Sequence, residues 1–454
     1  MPNHRSFNAA LCFSLLVVLS GCSTAKPPQT TSESPQSNNP SPPTEQSRRN
    51  NNITPPRVSL TVPPDNPDST TSAQVVQYVR SLSTSSQSQG VWMQSGNTLL
   101  ANHQGMVPLQ AASISKVATT LVALQTLGPE HRFVTQIGAT GPIENGVLKG
   151  DLVIQGGEDP FFVWEEGIAV GNVLNQMGIK RVSGDLVIVG KFYMNYKTNP
   201  QTAGNLLKTA LNSQIWTAEA ATQYRTLPPG TAKPQVVIAG ALKVLSSVPN
   251  NLKPLVRHNS YPLADLLKKM NQYSNNQMAE MLANSVGGAK QVAKAAVEIT
   301  GVSPSEIQLI NGSGLTYENR ISPRAAIAMF RAIENYLQPY QMTVADVFTV
   351  IGQDKGILEV RSLPRYGVVK SGSLDNVSAL VGALPTEKQG TVWFAIMNSQ
   401  GNLEKFRSQQ EALLNRLVSQ WGTVKQPPAE LTPNPARKNN ISSSEIVLSS
   451  SSGS

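Results

Sequence analysis

Polar and apolar positions divide this chain into unlike stretches. An apolar run over residues 9–19 stands alone behind His4 and Arg5, and from Ser23 to about Thr70 the chain is mostly Pro, Ser, Thr, Asn and Gln. The run is too short for a permanent bilayer span and fits the apolar part of a signal peptide over 1–21. The polar stretch can bury too little to offset its ordering entropy, which predicts a flexible tether over 22–70. Apolar residues then return at helical spacing at Val75, Val76, Tyr78, Val79 and Leu82, followed by two strand-like runs at 90–93 and 98–102. A second helix begins near Ser113, turns Val117, Leu121, Val122 and Leu124 to a core, and ends at Gly128-Pro129.

Over 131–260 the texture changes. Gly150-Asp151-Leu152-Val153-Ile154 recurs as Gly184-Asp185-Leu186-Val187-Ile188, which predicts related β-elements in an inserted β-rich module, with a helix near 168–177 between them. Helical periodicity resumes at Leu263, Leu266, Leu267, Met270, Met278 and Leu282. Strand-like runs at 366–370, 378–384 and 391–397 precede an amphipathic helix carrying Leu403, Phe406, Leu413, Leu414, Leu417 and Trp421. The pattern predicts an α/β (α+β) fold in which segments 71–130 and 261–424 form one antiparallel sheet flanked by helices, the first and last segments pairing across the insert. The polar tail, 425–454, reads as disordered.

Composition narrows the chemistry. The formal charge is +9, yet the basic residues are scattered and form no run with interleaved aromatics, which argues against a nucleic-acid partner. Both cysteines, Cys12 and Cys22, lie near the N-terminus, so the folded part holds without disulfides. Four scattered histidines, His4, His103, His131 and His258, form no H-E-x-x-H pair, so neither a metal nor another cofactor is expected.

Three short motifs carry candidate chemistry. Ser113-Ile114-Ser115-Lys116 is an S-x-x-K pattern at a helix start, and one helical turn puts the Lys116 amine on the face of the Ser113 hydroxyl. A serine needs a neighbour to take its proton, and a lysine does so when burial or a second cation lowers its pKa. A second copy, Ser23-Thr24-Ala25-Lys26, falls in the tether, where no packed site forms. Ser274-Asn275-Asn276 interrupts a helical region; its Ser274 hydroxyl and Asn276 amide suit proton relay and carbonyl binding, although such a triplet also reads as a helix N-cap. Lys370-Ser371-Gly372 is the chain's single K-[ST]-G. Lys370 can supply the second cation, Ser371 can bind a carboxylate, Gly372 admits close backbone, and the Ser373 and Ser113 N–H groups can form an oxyanion hole.

In this order the motifs resemble those of the low-molecular-mass class C penicillin-binding proteins, the D-alanyl-D-alanine carboxypeptidase/endopeptidase family with a large insert between its first two motifs. Residues 152–160 (LVIQGGEDP), 274–282 (SNNQMAEML), 311–323 (NGSGLTYENRISP) and 370–380 (KSGSLDNVSAL) look like that family's further segments. Leu19-Ser20-Gly21-Cys22 resembles a bacterial lipoprotein box, with Cys22 as the lipidated residue. The resemblance implies a serine β-lactamase/transpeptidase-like domain and an acyl-enzyme on Ser113. It also implies peptidoglycan peptides ending in D-Ala-D-Ala as substrate, β-lactams as covalent inhibitors, and export to the bacterial cell envelope with a lipid anchor facing the periplasm.

Departures from the family pattern are Asn311 for aspartate, Lys191 where an acidic residue is common, and Ser371 for threonine. Residues 193–227 lack a family pattern, and Glu219 is the one candidate for reading a substrate amine. These departures motivate an alternative, a catalytically weak peptidoglycan-binding lipoprotein of the same fold. A β-lactamase reading lacks a deacylating Glu, and a Ser-His-Asp hydrolase lacks a G-x-S-x-G elbow.

Overall fold

The computed structural model describes residues 67–447. The expected signal peptide, Cys22, the Ser23 copy and nearly all of the expected tether lie outside the described residues.

The six-stranded antiparallel sheet runs in the order Thr349–Val350, Val368–Leu374, Val377–Thr386, Gly390–Ser399, Gln89–Ser95, Thr98–His103. The first and last parts of the chain meet at its centre, where Gln89 faces Asn398 and Ser95 faces Val392. Val377–Thr386 is buried along its whole length, because helices cover both faces of the sheet. The side-chain period of two then sorts its residues. Val381, Ala383, Ala395 and Met397 enter the core shared with the helices Ser115–Leu127 and Pro323–Leu337. Leu380, Leu384, Phe394 and Ile396 enter a second core under Ser69–Ser81 and Leu403–Trp421.

The insert is more helical than the sequence pattern suggests. The two Gly-Asp-Leu-Val-Ile copies become parallel neighbours, with Leu152 beside Leu186 and Ile154 beside Ile188. The helix Trp164–Gln176 is the crossover between them, as parallel pairing demands. A third rung, Leu242–Leu245, adds to the second through the helix Pro200–Ala210. Asp151 Oδ1 accepts the Asp185 N–H at 2.7 Å, and Asp185 Oδ1 accepts the Ala241 N–H at 2.8 Å, so each rung's aspartate ties down the next. With helices also at Ala218–Tyr224, the module is α/β rather than simply β-rich.

The expectation of a disordered tail is corrected over 425–447. Leu431 is fully buried in the main core. Asp346 Oδ1 accepts the Asn434 N–H at 3.0 Å, and Arg437 Nη2 donates to Asp265 at 2.7 Å. The strand Ser443–Ile446 then pairs antiparallel with Lys253–Asn259 in the insert's sheet. One leucine in a preformed pocket and main-chain bonds to an existing sheet edge order this segment, and neither leaves an apolar pattern in its sequence.

Candidate active site

Ser113, the candidate nucleophile, sits where the chain passes from strand to helix. Ala112 adopts a left-handed φ of 46°, Ser113 lies in the 3₁₀ turn Ala112–Ile114, and the helix proper starts at Ser115. The first N–H groups of this turn have no carbonyl ahead of them and face developing negative charge. Lys116 is fully buried, one turn on. Its Nζ lies 2.9 Å from Ser113 Oγ, 2.7 Å from Asn276 Oδ1 and 2.7 Å from the Ser313 carbonyl. Burial pushes its pKa well below the ordinary lysine value, the Lys370 ammonium pushes it further down, and Glu280 partly opposes both. A neutral amine has two hydrogens and one lone pair. The Asn276 and Ser313 oxygens accept the hydrogens, and the lone pair is left for the Ser113 proton.

The S-x-N motif occupies the break between the helices Leu263–Gln272 and Asn276–Ser285. Asn275, not Ser274, is the N-cap, its Oδ1 accepting the Met278 N–H at 3.0 Å. Ser274 is freed from capping by a φ of 51° and accepts from Lys370 Nζ at 3.1 Å. Lys370, also fully buried, donates to the Ser371 carbonyl at 2.6 Å, and burial lowers its pKa to about 7. Lys116 is thus joined to Ser113 and Asn276, and Lys370 to Ser274.

Gly372 brings the third motif into contact with the first. A Cβ there would lie 2.8 Å from the Ala111 carbonyl oxygen and 2.9 Å from the Ser113 nitrogen, so only glycine lets the strand lie against the helix start. Ser373 follows directly. The Val368–Leu374 strand pairs with Thr349–Val350 only through Val368 and Val369, which leaves the outer edge beyond them without a strand partner. All eight residues proposed from the motifs therefore converge, Ser113, Lys116, Ser274, Asn276, Lys370, Ser371, Gly372 and Ser373.

Sequence reasoning missed the scaffold beneath them. Glu280 accepts the N–H groups of Gly312 at 3.1 Å and Ser313 at 2.9 Å, fixing the turn whose carbonyl accepts a hydrogen bond from Lys116. Asn319 is fully buried; its Oδ1 accepts from the Ile310 N–H at 2.7 Å, and its Nδ2 donates to Ser115 Oγ at 2.8 Å. Gly314, at φ 82°, passes so close that a Cβ would overlap the Ala112 carbonyl. The signal for this layer was the 311–323 segment, read as a resemblance but not as a ligand to the lysine. Asn311 Oδ1 accepts the Gly314 N–H at 2.8 Å, so the amide closes the turn that a carboxylate would otherwise close. Lys191 pairs with Glu158 at 2.8 Å. Glu219 is exposed on the helix Ala218–Tyr224, and among the described residues it forms no hydrogen bond or ion pair with the motif residues.

A serine activated by a buried lysine, beside a second lysine at a strand edge, defines a serine acyl-transfer enzyme of the β-lactamase/transpeptidase fold. The D-Ala-D-Ala carboxypeptidase 3 (S13) family model matches residues 73–223 and 231–419, and the chain belongs to that family. A D-alanyl-D-alanine carboxypeptidase of Haemophilus influenzae is 22% identical, with 68% of this chain and 85% of the relative covered. A carboxypeptidase of Mycobacterium tuberculosis is 24% identical over 68% of this chain and 75% of its own length. Among solved structures, a predatory endopeptidase of Bdellovibrio bacteriovorus, acylated by penicillin G, superposes with a TM-score of 0.63 at 21% identity, covering 74% of this chain and 94% of that one. Penicillin-binding protein 4 of H. influenzae does so with 0.58 at 20% identity, covering 76% and 99%.

Proposed function

We propose that the protein is a serine-type D-Ala-D-Ala carboxypeptidase, with endopeptidase action on cross-linked peptidoglycan peptides, working through an acyl-enzyme on Ser113. The observation that carries this reading is the three-way binding of Lys116 by Ser113, Asn276 and Ser313, which poises a buried amine as a base. Ser113 Oγ attacks the carbonyl of the penultimate D-alanine as Lys116 takes its proton. The Ser113 and Ser373 N–H groups receive the developing oxyanion. Ser274 passes a proton to the departing amine and is refilled from Lys370, and water then releases the shortened peptide. Ser371 lies at the free strand edge, where a peptide chain end can add as a further strand and present its carboxylate.

The same reading extends to the cell. Leu19-Ser20-Gly21-Cys22 supports export, lipidation at Cys22 and a position at the bacterial membrane facing the periplasm. Replacement of Cys22 by alanine should move the protein from the detergent phase to the aqueous phase on partitioning; an unchanged distribution refutes the anchor.

Intact mass after incubation with penicillin and a digest of monomeric and cross-linked muropeptides test the chemistry together. The expected result is one adduct, absent from Ser113→Ala, and release of D-alanine from the monomer. An adduct without D-alanine release points instead to a peptidoglycan-binding protein that retains the pocket.

A further inference from the structure

Outside the three motifs, one charged side chain reaches the same strand edge. Arg407, on the helix Leu403–Trp421, donates from Nη2 to Ser373 Oγ at 3.1 Å. An arginine carries donors only, so Ser373 Oγ is the acceptor and its own proton is directed away from the guanidinium. Among the described residues the Ser373 hydroxyl has no second hydrogen-bond partner. Strand alternation places Ser371 and Ser373 on one face with Val369, which packs with Leu413 and Leu414 of that helix. Both serines lie on the part of the strand beyond Val369, where its outer backbone edge has no partner strand among the described residues. The guanidinium is bound at a second point, Nη1 meeting Glu404 at 2.9 Å, while the Arg407 main-chain carbonyl accepts from Arg361 Nη2 at 3.3 Å and Nε is buried without a partner. Glu404 is largely exposed, at 76%, so solvent screens it and positive potential persists behind Ser373.

We infer that Arg407 is a positioning residue for the terminal carboxylate of the substrate. It locks the Ser373 hydroxyl as a donor aimed along the free edge beside Ser371, and it adds a fixed cation behind that donor. The inference rests on the carboxypeptidase reading of the same site. It assigns the selection of a free chain end to a residue of the closing helix.

The test compares two synthetic peptides on the full chain, one ending in D-Ala-D-Ala and the other in D-Ala-D-alaninamide. Arg407→Gln should raise KM for the free acid about tenfold, with kcat within about twofold, and leave the amide nearly unchanged. Ser373→Ala should lower kcat/KM for the free acid more than for the amide, and the double variant should be no worse than Ser373→Ala alone. Arg407→Lys should fall between wild type and Arg407→Gln. An equal loss on both peptides, no loss, or additive losses overturns the inference while leaving the enzyme reading intact. If Arg407→Gln does not fold, Ser373→Ala and Arg407→Lys decide the question. A wild-type protein that cleaves neither peptide overturns both.

Discussion

Beside Ser113 the buried ionisable groups are two lysines of like sign. Between the insert and the C-terminal strand they are two carboxyls and an imidazole: Asp159, Glu166 and His258. In the second group His258 Nε2 lies 3.5 Å from Glu166 and 4.0 Å from Asp159, Nδ1 bonds Ser444 at 2.8 Å, and Ser442 donates to Glu166 at 2.7 Å. Burial raises the Asp159 pKa to about 8 and that of Glu166 to about 7, and lowers that of His258 to about 4. Burial there disfavours the charged form of both the acids and the base. Lys370 instead adds to the burial cost of a charged Lys116, and that cost is held in place by Glu280, Asn276 and the Ser313 carbonyl. One site stores reactivity, whereas the other joins the tail to the insert.

Substitution should separate the two sharply. Lys116→Met removes the base and also a desolvated amine, so penicillin acylation should slow by about 10³-fold while the thermal midpoint holds or rises. Stopped-flow acylation and calorimetry measure both; a large drop in midpoint would mean that the lysine is structural. The acylation rate of the wild type should also fall above about pH 7, as Lys370 loses the proton that makes it a cation, and Lys370→Arg should remove that limb.

For the second cluster, His258→Ala should cost about 2–4 kcal/mol, read by denaturant unfolding, with acylation of the folded fraction unchanged. Its pH dependence has a defined sign. Asp159 and Glu166 have folded pKa values above their unfolded ones, so their stabilisation is complete below about pH 4 and lost as pH rises toward 7 and 8. His258, with a depressed value, opposes them only between about 4 and its unfolded value of about 6.5. Between pH 6.5 and 8 the thermal midpoint should therefore decline, and the pair Asp159→Asn with Glu166→Gln should flatten that decline. Leu431→Ala comes next at about 2–3 kcal/mol, measured the same way, because its side chain is fully inside the main core. Glu219→Gln should change neither stability by more than about 0.5 kcal/mol nor D-alanine release.

The patterned parts of the chain were legible. Gln89–Ser95, Val377–Thr386 and Gly390–Ser399 follow the expected runs, and the helix Ser115–Leu127 ends at Gly128 as read. The insert was less so, because Pro200–Ala210 and Ala218–Tyr224 present short apolar faces only once they pack on neighbouring strands and helices. The third rung was hidden because Ala241 replaces the aspartate of the other two, and its strand is largely exposed.

What the sequence determined by itself was the candidate set, since S-x-x-K on one helical turn and K-S-G on one strand are local geometries written in residue type and spacing. Only the tertiary structure decided what surrounds them. The Ser313 carbonyl, Glu280, Asn319 and Arg407 act through contacts between segments far apart in the chain, and the tail is ordered by an edge and a pocket that exist only in the folded body. Main-chain carbonyls and amides look alike in every sequence, so their roles are fixed by where folding brings them.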